Sequence, residues 1–550
     1  MDREVRVPGG VTGRVELLDG VFAALRSGDV AGARKLAEAA LAKGVEHPVL
    51  LNLRALGLEE AGRFEAALAD LQRAHLLAPQ DPTILNACGL ALARMNRPEE
   101  ALACYDRAIS LAPDFGQAWF NRGWVLEQVG ETAKAADAYA KAAEIHPQNA
   151  QAFANLATLD AKRGDIKATW RHAARALDLQ PGLPTAMLAV AAVEGPAEAE
   201  PRLRELLRQT LSPFDRAMAL GQLADVLDAL GKPAQAFDAY AASNVAFRDE
   251  ARSRFEPHGR QTVPQILAWL VPWAERLSRA GWTVDSDGAA GLGGERGHVF
   301  LLGFPRSGTT LVESLLAGHP DVATLEERET LRPAVLDFMR GPADMDRLAR
   351  ARGAELRRLR EAYWVSVRGF GVDPAGRIFI DKNPFNTLRL PLIAKLFPHA
   401  KILFAIRDPR DVALSCFRRR FALNPTTFEF LDLVRTAANY DGTMRFASAL
   451  EGKLGLAEYR LVYEDLVGDF GRVAREACEF IGADWREDLA DFADRARRGE
   501  VASASSAQIA RGLYADGAGQ WRRYEAQLAP VLPVLAPWVQ RFGYVQAPPA

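Results

Sequence analysis

Cysteine is scarce in this chain, and the few cysteines form no pattern. The 550 residues contain only Cys88, Cys104, Cys416 and Cys478, with no CxxC pair and no histidine-rich neighbourhood. This usage argues against a disulfide scaffold and against a zinc site. We therefore expect four reduced, mostly buried thiols and no bound metal.

The chain also lacks an excess of one charge and a long apolar run. Its 68 lysines and arginines against 70 aspartates and glutamates leave a formal net charge of -2. That balance offers no bulk attraction for nucleic acid or an anionic membrane, so any anion site must be local. Without an apolar stretch of about 18 residues or a signal-peptide core, we expect a soluble, cytoplasmic protein.

The composition is that of a folded protein with several domains. Hydrophobic residues make up 49% and charged residues 25% of the chain, which excludes a wholly disordered protein. At about 150 residues per domain, the length predicts three to four units.

Prolines recur every 34 residues in the first half of the chain, at Pro79, Pro113, Pro147 and Pro181. Each closes a segment that reads Ala-x-x-Leu-x-Pro or nearly so, which is typical of a helical repeat. The repeat resembles the tetratricopeptide family, and we assign the array to residues 14–250. Such an array usually holds a peptide or packs against its own chain.

Within the repeat, small residues alternate with a tyrosine at fixed offsets. Gly89 and Tyr105 of one unit correspond to Gly123 and Tyr139 of the next. A small residue lets two antiparallel helices approach, the tyrosine fills the gap, and the proline ends the second helix.

A different pattern follows a helical connector and flexible linker at residues 251–297. The segment His298–Phe304 predicts a buried strand, Pro305-Arg-Ser-Gly-Thr-Thr a tight loop, and the residues from Leu311 a helix. Gly303-x-x-x-x-Gly308-Thr-Thr nearly matches the Walker pattern, but Thr309 stands where a triphosphatase has lysine. With Arg306 as its cation, the loop suits an anion without a polyphosphate tail.

A second cationic element follows another predicted strand. Lys401–Ile406 leads directly into Arg407-Asp-Pro-Arg, and Ser415 follows within the same segment. Arginine and serine side chains are suited to a further phosphate. Two anion sites at neighbouring strand ends fit one ligand.

These two motifs resemble the phosphate signatures of the sulfotransferase superfamily, whose donor is 3'-phosphoadenosine 5'-phosphosulfate (PAPS). The resemblance spans residues 298–545 and is greatest to the tyrosylprotein sulfotransferase branch and to bacterial proteins with tetratricopeptide repeats. It implies an all-α repeat superhelix followed by an α/β, P-loop-like domain with a mostly parallel sheet. Further matching segments begin at His319, Glu326, Asp381, Leu461, Ser505 and Gln520.

The resemblance also assigns roles to individual residues around the donor. It places five loop residues at the 5'-phosphosulfate: Arg306, Ser307, Gly308, Thr309 and Thr310. It places Arg407 and Ser415 at the 3'-phosphate and Tyr463 near the adenosine.

For the transfer itself, the resemblance implies Glu327 as general base. It puts Lys382 and Ser505 or Ser506 near the bridging and sulfuryl oxygens, with Arg511 and Trp521 as weaker candidates. Glu326 and Glu329 lie close to Glu327, so spacing alone does not identify the base. Glu327 is favoured by register, twenty-one residues after Arg306.

Two alternative functions remain open from the sequence. A P-loop kinase is one, because Ile378-Phe-Ile-Asp381 has the form of a strand that ends in a magnesium-binding aspartate. A repeat scaffold that binds a nucleotide without turnover is the other. For a transferase, the acceptor hydroxyl is a protein tyrosine, a glycan, a lipid or a small phenol, and a homo-oligomer is left open.

Overall fold

The computed structural model describes residues 11–255, 261–285, 291–491 and 517–544. The chain divides into two compact units, Met1–Gln209 and Thr210–Ala550. Within the described ranges, every helix is too short or too polar to cross a membrane.

The first unit is entirely helical in its described part. Each helix packs on the next one along the chain, which is the arrangement of a helical repeat array. The helices are α1 (Val11–Arg26), α2 (Val30–Ala42), α3 (Pro48–Glu60), α4 (Phe64–Leu77), α5 (Pro82–Arg94), α6 (Pro98–Leu111), α7 (Gly116–Gln128), α8 (Thr132–Ile145), α9 (Ala150–Arg163), α10 (Ile166–Leu179), α11 (Pro184–Ala191) and α12 (Pro196–Leu206).

The repeated prolines mark the ends of alternate helices, as the sequence predicts. Helices α4, α6, α8 and α10 each end two residues before Pro79, Pro113, Pro147 and Pro181, respectively. The predicted close approach of paired helices is also present, since a Cβ added to Gly89 would lie 2.6 Å from the Tyr105 ring. The same addition at Gly123 would lie 2.8 Å from the Tyr139 ring. Glycine at these positions therefore lets the tyrosine fill the space between the two helices.

The second unit contains helices and a five-stranded sheet. It begins with α13 (Pro213–Ala229), α14 (Pro233–Phe255) and α15 (Val263–Arg276). The strands are β1 (Gly297–Gly303), β2 (Val322–Glu326), β3 (Ile378–Lys382), β4 (Lys401–Ile406) and β5 (Ala457–Val462). The remaining helices are α16 (Thr309–Leu316), α17 (Arg332–Phe338), α18 (Pro342–Arg350), α19 (Ala354–Gly369), α20 (Leu390–Leu396), α21 (Pro409–Arg418), α22 (Leu433–Leu450), α23 (Tyr463–Gly468), α24 (Phe470–Ile481), α25 (Glu525–Leu528) and α26 (Leu532–Arg541). Short 3-10 turns lie at Arg279–Gly281, Pro384–Arg389, Glu429–Leu431, Glu487–Asp491 and Gln520–Tyr524.

All five strands are parallel, in the order β2-β3-β1-β4-β5. Strands β1, β3 and β4 are almost continuously buried, as expected for a parallel sheet covered on both faces. In register, Leu301 of β1 lies beside Lys382 of β3, and Gly303 lies beside Ala405 of β4. The predicted fold class is confirmed, and the carboxyl ends of the three central strands meet at one edge.

Helices α13 and α14 belong to the same compact unit as the sheet. Asn244 of α14 donates a hydrogen bond of 2.8 Å to the carbonyl oxygen of Phe417 in α21. Asp228 of α13 accepts hydrogen bonds from Arg418 and Tyr524. Sequence periodicity detects these helices but not the surfaces they contact. The domain boundaries predicted at residues 250 and 297 stay a prediction.

Candidate active site

The loop between β1 and α16 has a backbone that only selected residues tolerate. Gly303, Arg306 and Gly308 have φ values of 147°, 72° and 96°, respectively. A Cβ at Gly303 would lie 2.6 Å from the carbonyl oxygen of Ala405, and one at Gly308 would lie 2.8 Å from Tyr463. The glycines therefore allow the turn that points the first N–H groups of α16 out of the strand end. The N–H of Leu311 already bonds to the carbonyl oxygen of Gly308, whereas those of Thr309 and Thr310 have no intrahelical acceptor and form a site suited to an anion.

Thr387, in the turn after β3, holds the start of this loop. Its hydroxyl donates to the carbonyl oxygen of Gly303 at 2.6 Å and accepts from the N–H of Gly303 at 3.1 Å. Both polar groups of one glycine are thus satisfied by a single side chain. The sequence analysis did not identify Thr387, because a lone threonine after a strand carries no distinctive signal.

The structure brings the two cationic motifs together. Nε of Arg306 donates to Oγ of Ser415 at 2.9 Å, and Nη1 of Arg407 donates to the carbonyl oxygen of Arg306 at 3.0 Å. Burial first, and then the charges of Arg419 and Arg407, lower the pKa of the Arg306 guanidinium to about 10. The clustered positive charges of Arg306 and Arg407 at this partly buried position favour binding of an anion.

Arg407 has a side-chain donor that no described residue accepts. Its side chain is buried, and its Nε has no partner among the described residues. Its guanidinium carbon lies 4.8 Å from the centre of the Tyr463 ring, which also faces Gly308. A buried donor without an acceptor is costly, so this position is suited to a ligand that carries negative charge.

Lys382, the last residue of β3, is fully buried among three carboxylates. Its Nζ lies 2.9 Å from Glu327, 3.0 Å from Glu326 and 3.2 Å from Glu313. Burial acts to lower the pKa of Lys382, but the three carboxylates outweigh it and raise that pKa above its usual value. The lysine therefore remains a cation beside the loop.

Glu327 and Glu326 both contact Lys382, so that contact does not separate them as candidate bases. The side chain of Glu327 is 46% exposed and that of Glu326 is 27% exposed. Burial is the main cause that raises the pKa of Glu326. The charge of Glu327 adds to this effect, and Lys382 opposes it. Of the two, Glu327 is the one more open to an incoming acceptor.

The segment that carries Glu327 is fastened to the end of β3 and the turn after it. The N–H of Glu327 donates to the carbonyl oxygen of Lys382 at 2.7 Å, and its φ is 46°. Arg389 donates to Glu329 at 2.7 Å, and Thr330 donates to Asp381 at 2.8 Å. A left-handed backbone at a non-glycine residue is uncommon, and here these contacts hold it.

Asp381 does not offer an open magnesium ligand. It is fully buried, and one of its carboxylate oxygens accepts hydrogen bonds from Thr330 and from Tyr363, the latter at 2.9 Å. Burial raises the pKa of Asp381 to about 6, against the hydrogen bonds from Thr330 and Tyr363. Within the described residues, no group of three or more histidine, cysteine, aspartate or glutamate side chains could hold a metal ion. In the kinase alternative, this aspartate would have to bind magnesium through its second carboxylate oxygen, which is buried and has no partner among the described residues.

Asp411, on α21, fixes the chain near the predicted residue Trp521. Its carboxylate accepts from the N–H groups of Gly519 at 2.6 Å and Trp521 at 2.8 Å. The Trp521 ring lies 3.8 Å from the guanidinium carbon of Arg410. The predicted residues Ser505, Ser506 and Arg511 lie outside the described residues.

Residues 298–487 match the sulfotransferase family, and residues 22–82 and 87–150 match the tetratricopeptide repeat. The chain therefore carries tetratricopeptide repeats followed by a sulfotransferase domain. The resemblance inferred from the loop, Arg407 and the proline spacing is confirmed.

Several curated proteins are similar to this chain. An uncharacterized protein of Aquifex aeolicus is 30% identical over 253 residues, which cover 44% of this chain and 33% of the relative. Protein-tyrosine sulfotransferase 1 of Danio rerio is 32% identical over 140 residues, covering 23% and 36%. Protein-tyrosine sulfotransferase A of Caenorhabditis elegans is 24% identical over 257 residues, covering 45% and 67%. The chain thus spans about a third of the length of the first two relatives.

Among solved structures, helical repeat proteins are similar to part of the chain. A tetratricopeptide repeat protein from Parabacteroides merdae is 18% identical with a TM-score of 0.35, covering 42% of this chain and 93% of that one. PilW, a type IV pilus biogenesis factor, is 19% identical with a TM-score of 0.33, covering 36% and 93%. Because both TM-scores are low, the repeat assignment rests on the family match and on the helices themselves.

Within the sulfotransferase domain, most predicted donor residues lie around the loop. Arg306, Ser415, Arg407 and Tyr463 are linked by direct contacts, and Lys382 joins Glu327. The residues that the sequence analysis missed are Glu313, Thr387 and Asp411. Glu313 had one usable signal, because it is the only charged residue in the otherwise apolar and hydroxylic segment of α16.

Proposed function

We propose that the sulfotransferase domain transfers a sulfuryl group from PAPS to a hydroxyl acceptor, with a protein tyrosine as the favoured acceptor. One observation carries the proposal. The loop that carries Arg306, which is suited to an anion, lies directly beside the ion pair between Lys382 and the half-exposed carboxylate of Glu327. Lys382 is in register with Leu301, two residues before the loop begins at Gly303. Its partner Glu327 stands at the surface end of that pair.

The residues around the loop fit the donor. PAPS carries a phosphosulfate at one end of its ribose and a separate phosphate at the other. The loop residues Arg306 to Thr310 suit the first, and Arg407 with Ser415 suits the second. The buried Nε of Arg407 has no partner among the described residues, so a phosphate oxygen would supply the acceptor it lacks.

The remaining residues meet the requirements of the transfer. An acceptor hydroxyl must lose its proton as its oxygen bonds to sulfur, and Glu327 is the base proposed for that proton. The bond from sulfur to the bridging oxygen breaks, and its electron pair leaves with adenosine 3',5'-bisphosphate. Lys382 and Arg306 are the cations proposed to stabilise the charge that develops on that leaving group.

The choice of a protein acceptor rests on the relatives, on the repeats and on the exposure of Glu327. Two of the relatives are named protein-tyrosine sulfotransferases. Tetratricopeptide repeats generally mediate contacts between proteins, which suits a macromolecular acceptor. Glu327 is 46% exposed, which is compatible with access by a side chain of a large partner.

A kinase is disfavoured by two residues. Thr309 replaces the lysine that reaches the terminal phosphates of a nucleoside triphosphate, and Asp381 is enclosed by Thr330 and Tyr363. A repeat scaffold without turnover would retain the loop but has no need of Lys382 beside a half-exposed carboxylate.

Calorimetry of the full chain tests the donor directly. We expect adenosine 3',5'-bisphosphate to bind far more tightly than ATP with magnesium. Arg407→Ala removes a charge-assisted hydrogen bond and should weaken bisphosphate binding by about tenfold or more. Arg445→Ala is the matched control, because Arg445 is an exposed arginine on α22 that pairs with Glu275. Magnesium-dependent ATP binding without bisphosphate binding would instead support a kinase.

A further inference from the structure

Glu313 is a buried carboxylate in the Lys382 cluster that the proposed reaction leaves without a role. It lies on α16, the helix that follows the anion loop, and only 6% of it is exposed. Its Oε2 is 3.2 Å from Nζ of Lys382. This contact joins the loop helix to the end of β3, and so fixes the lysine relative to the loop.

The charges of the cluster do not balance when every member is ionised. One ammonium group, on Lys382, faces the carboxylates of Glu313, Glu326 and Glu327. Three negative charges against one positive charge would oppose an anion in the neighbouring loop, and burial strengthens that repulsion. A proton on one carboxylate removes part of the repulsion.

Glu313 is the member best suited to hold that proton. It is more buried than Glu326 or Glu327. Burial first, and then the charges of Glu326 and Glu327, raise the pKa of Glu313 to about 7, although Lys382 opposes the shift. A carboxyl of this kind is neutral for part of the time near neutral pH.

Other charged groups packed against α16 have partners elsewhere or are exposed. The helix contacts β1, β3 and the turn at Glu487–Asp491. On that turn, Glu487 bonds to Arg475 and Trp485, Asp488 bonds to Arg486, and Asp491 is exposed. His298 of β1 bonds to Tyr363, as does Asp381 of β3. The charges that act on Glu313 are therefore those of Lys382, Glu326 and Glu327.

We propose that Glu313 is a positioning residue that anchors Lys382 beside the donor loop and holds the extra proton of the cluster, so that an anionic donor binds best while Glu313 is neutral. This proposal rests on the proposed function, since it concerns binding of the sulfuryl donor. The anchoring of Lys382 and the holding of the proton can be separated by experiment. In Glu313→Gln, the carboxamide keeps an acceptor for Lys382 but cannot ionise.

The sign of the expected pH dependence follows from the direction of the shift. Below about pH 7 Glu313 is protonated and neutral, and above it the group adds a negative charge. Affinity of the natural protein for adenosine 3',5'-bisphosphate should therefore fall, relative to Glu313→Gln, as pH rises through 7. The ratio of the two affinities cancels the titration of the bisphosphate itself. We expect this ratio to change by about tenfold, which corresponds to one pKa unit of coupling.

The experiment measures bisphosphate affinity by calorimetry at about pH 6 and about pH 8, one unit on each side of the expected titration. Glu275→Gln is the matched control, because Glu275 is an exposed glutamate on α15 that pairs with Arg445 and has no contact with Lys382. Its affinity should follow the natural protein at both pH values. Carboxyl ¹³C spectra of the ligand-free protein provide a second readout: the resonance lost in Glu313→Gln should titrate near neutral pH.

The outcomes separate the two proposals. A natural protein that binds no bisphosphate contradicts the proposed function and the donor part of this inference. Bisphosphate binding with an affinity ratio that does not change with pH overturns the role of Glu313 alone, as does a carboxyl resonance that titrates near an ordinary glutamate value. If Glu313→Gln does not fold, Glu313→Met supplies a second neutral side chain of similar size, and the same affinity ratio applies.

Discussion

At the scale of single residues, Lys382 organises the site through both its side chain and its backbone. Its Nζ binds three carboxylates, and its carbonyl oxygen accepts the N–H of Glu327. The second contact helps to hold Glu327 at a φ of 46°. A residue kept in an uncommon conformation by a neighbouring group is typical of functional sites, where strain of about 1–3 kcal/mol is offset by surrounding structure.

Glutamine substitutions separate the two candidate bases. Glu327→Gln keeps the shape of the side chain but cannot accept a proton, so turnover should fall by about 10² or more although the bisphosphate still binds, at least as tightly as to the natural protein, because a negative charge has been removed beside the loop. Glu326→Gln is the matched control, because its carboxylate also touches Lys382 but is less exposed. Single-turnover sulfuryl transfer to a small phenol measures the effect.

For the base assignment, the decisive comparison is between these two variants. Full activity in Glu327→Gln would remove it as the base. Equal losses in both variants would mean that the pair acts as a unit around Lys382, and that register and exposure do not choose between them.

The site residues that could be predicted from the sequence are those in motifs that directly follow a predicted strand. Arg306 and Arg407 follow buried strands, and parallel strand ends meet at one edge, so their proximity was predictable. Glu313, Thr387 and Asp411 were missed for a different reason. Their roles depend on which face of a helix or turn is directed to a distant segment, and short apolar elements carry too weak a periodicity to show that.

At the scale of elements, the helices of the repeats were the most predictable feature. A proline removes a backbone donor and clashes with the preceding turn, so a fixed proline spacing gives helix ends directly. The partners of a helix are harder to predict. Helices α13 and α14 continue the helical pattern, yet their polar side chains bind α21 and the turn at Gln520–Tyr524.

Asp228, on α13, is the main polar link in that packing. Its carboxylate accepts from Arg418 at 2.7 Å, from Arg523 at 2.6 Å and from Tyr524 at 2.6 Å. The Asp228 side chain is 13% exposed. Arg418 closes α21, the helix that also carries Ser415 of the proposed donor site.

Removing this carboxylate should destabilise the second unit. Asp228→Ala removes the carboxylate that accepts from Arg418, Arg523 and Tyr524. Arg523 keeps the backbone carbonyl oxygen of residue 228 as an acceptor, but Arg418 and Tyr524 lose a buried partner, so we expect a loss of about 3 kcal/mol in the free energy of unfolding. Asp225→Ala is the matched control on the same helix. Its carboxylate binds Tyr240 and Arg420 but is 48% exposed, so its loss should be much smaller. Unfolding in urea, followed by tryptophan fluorescence, provides the measurement, and similar losses in both variants would contradict the special place of Asp228.

At the scale of the whole molecule, the two compact units determine where the chain can be divided. A cut near residue 285 follows the predicted linker but removes α13, α14 and α15 from the second unit. Phe237 stacks on Phe417 and Phe255 on Phe428, with ring centres 5.2 Å and 5.3 Å apart. Loss of these contacts would expose apolar surface, so residues 210–550 are the better fragment for testing the role of the repeats.

We expect residues 210–550 to fold and to bind adenosine 3',5'-bisphosphate as the full chain does, because every described contact of the anion loop lies within this fragment. Residues 286–550 are the control and should be less soluble.

The remaining question is whether the repeats select the acceptor. A repeat array that binds a protein acceptor raises the effective concentration of its hydroxyl near Glu327, whereas a small phenol gains nothing from it. Activity on a macromolecular acceptor should therefore fall more than activity on a small phenol when residues 1–209 are removed. If both activities change by the same factor, the repeats do not select the acceptor, and specificity must be determined within the second unit.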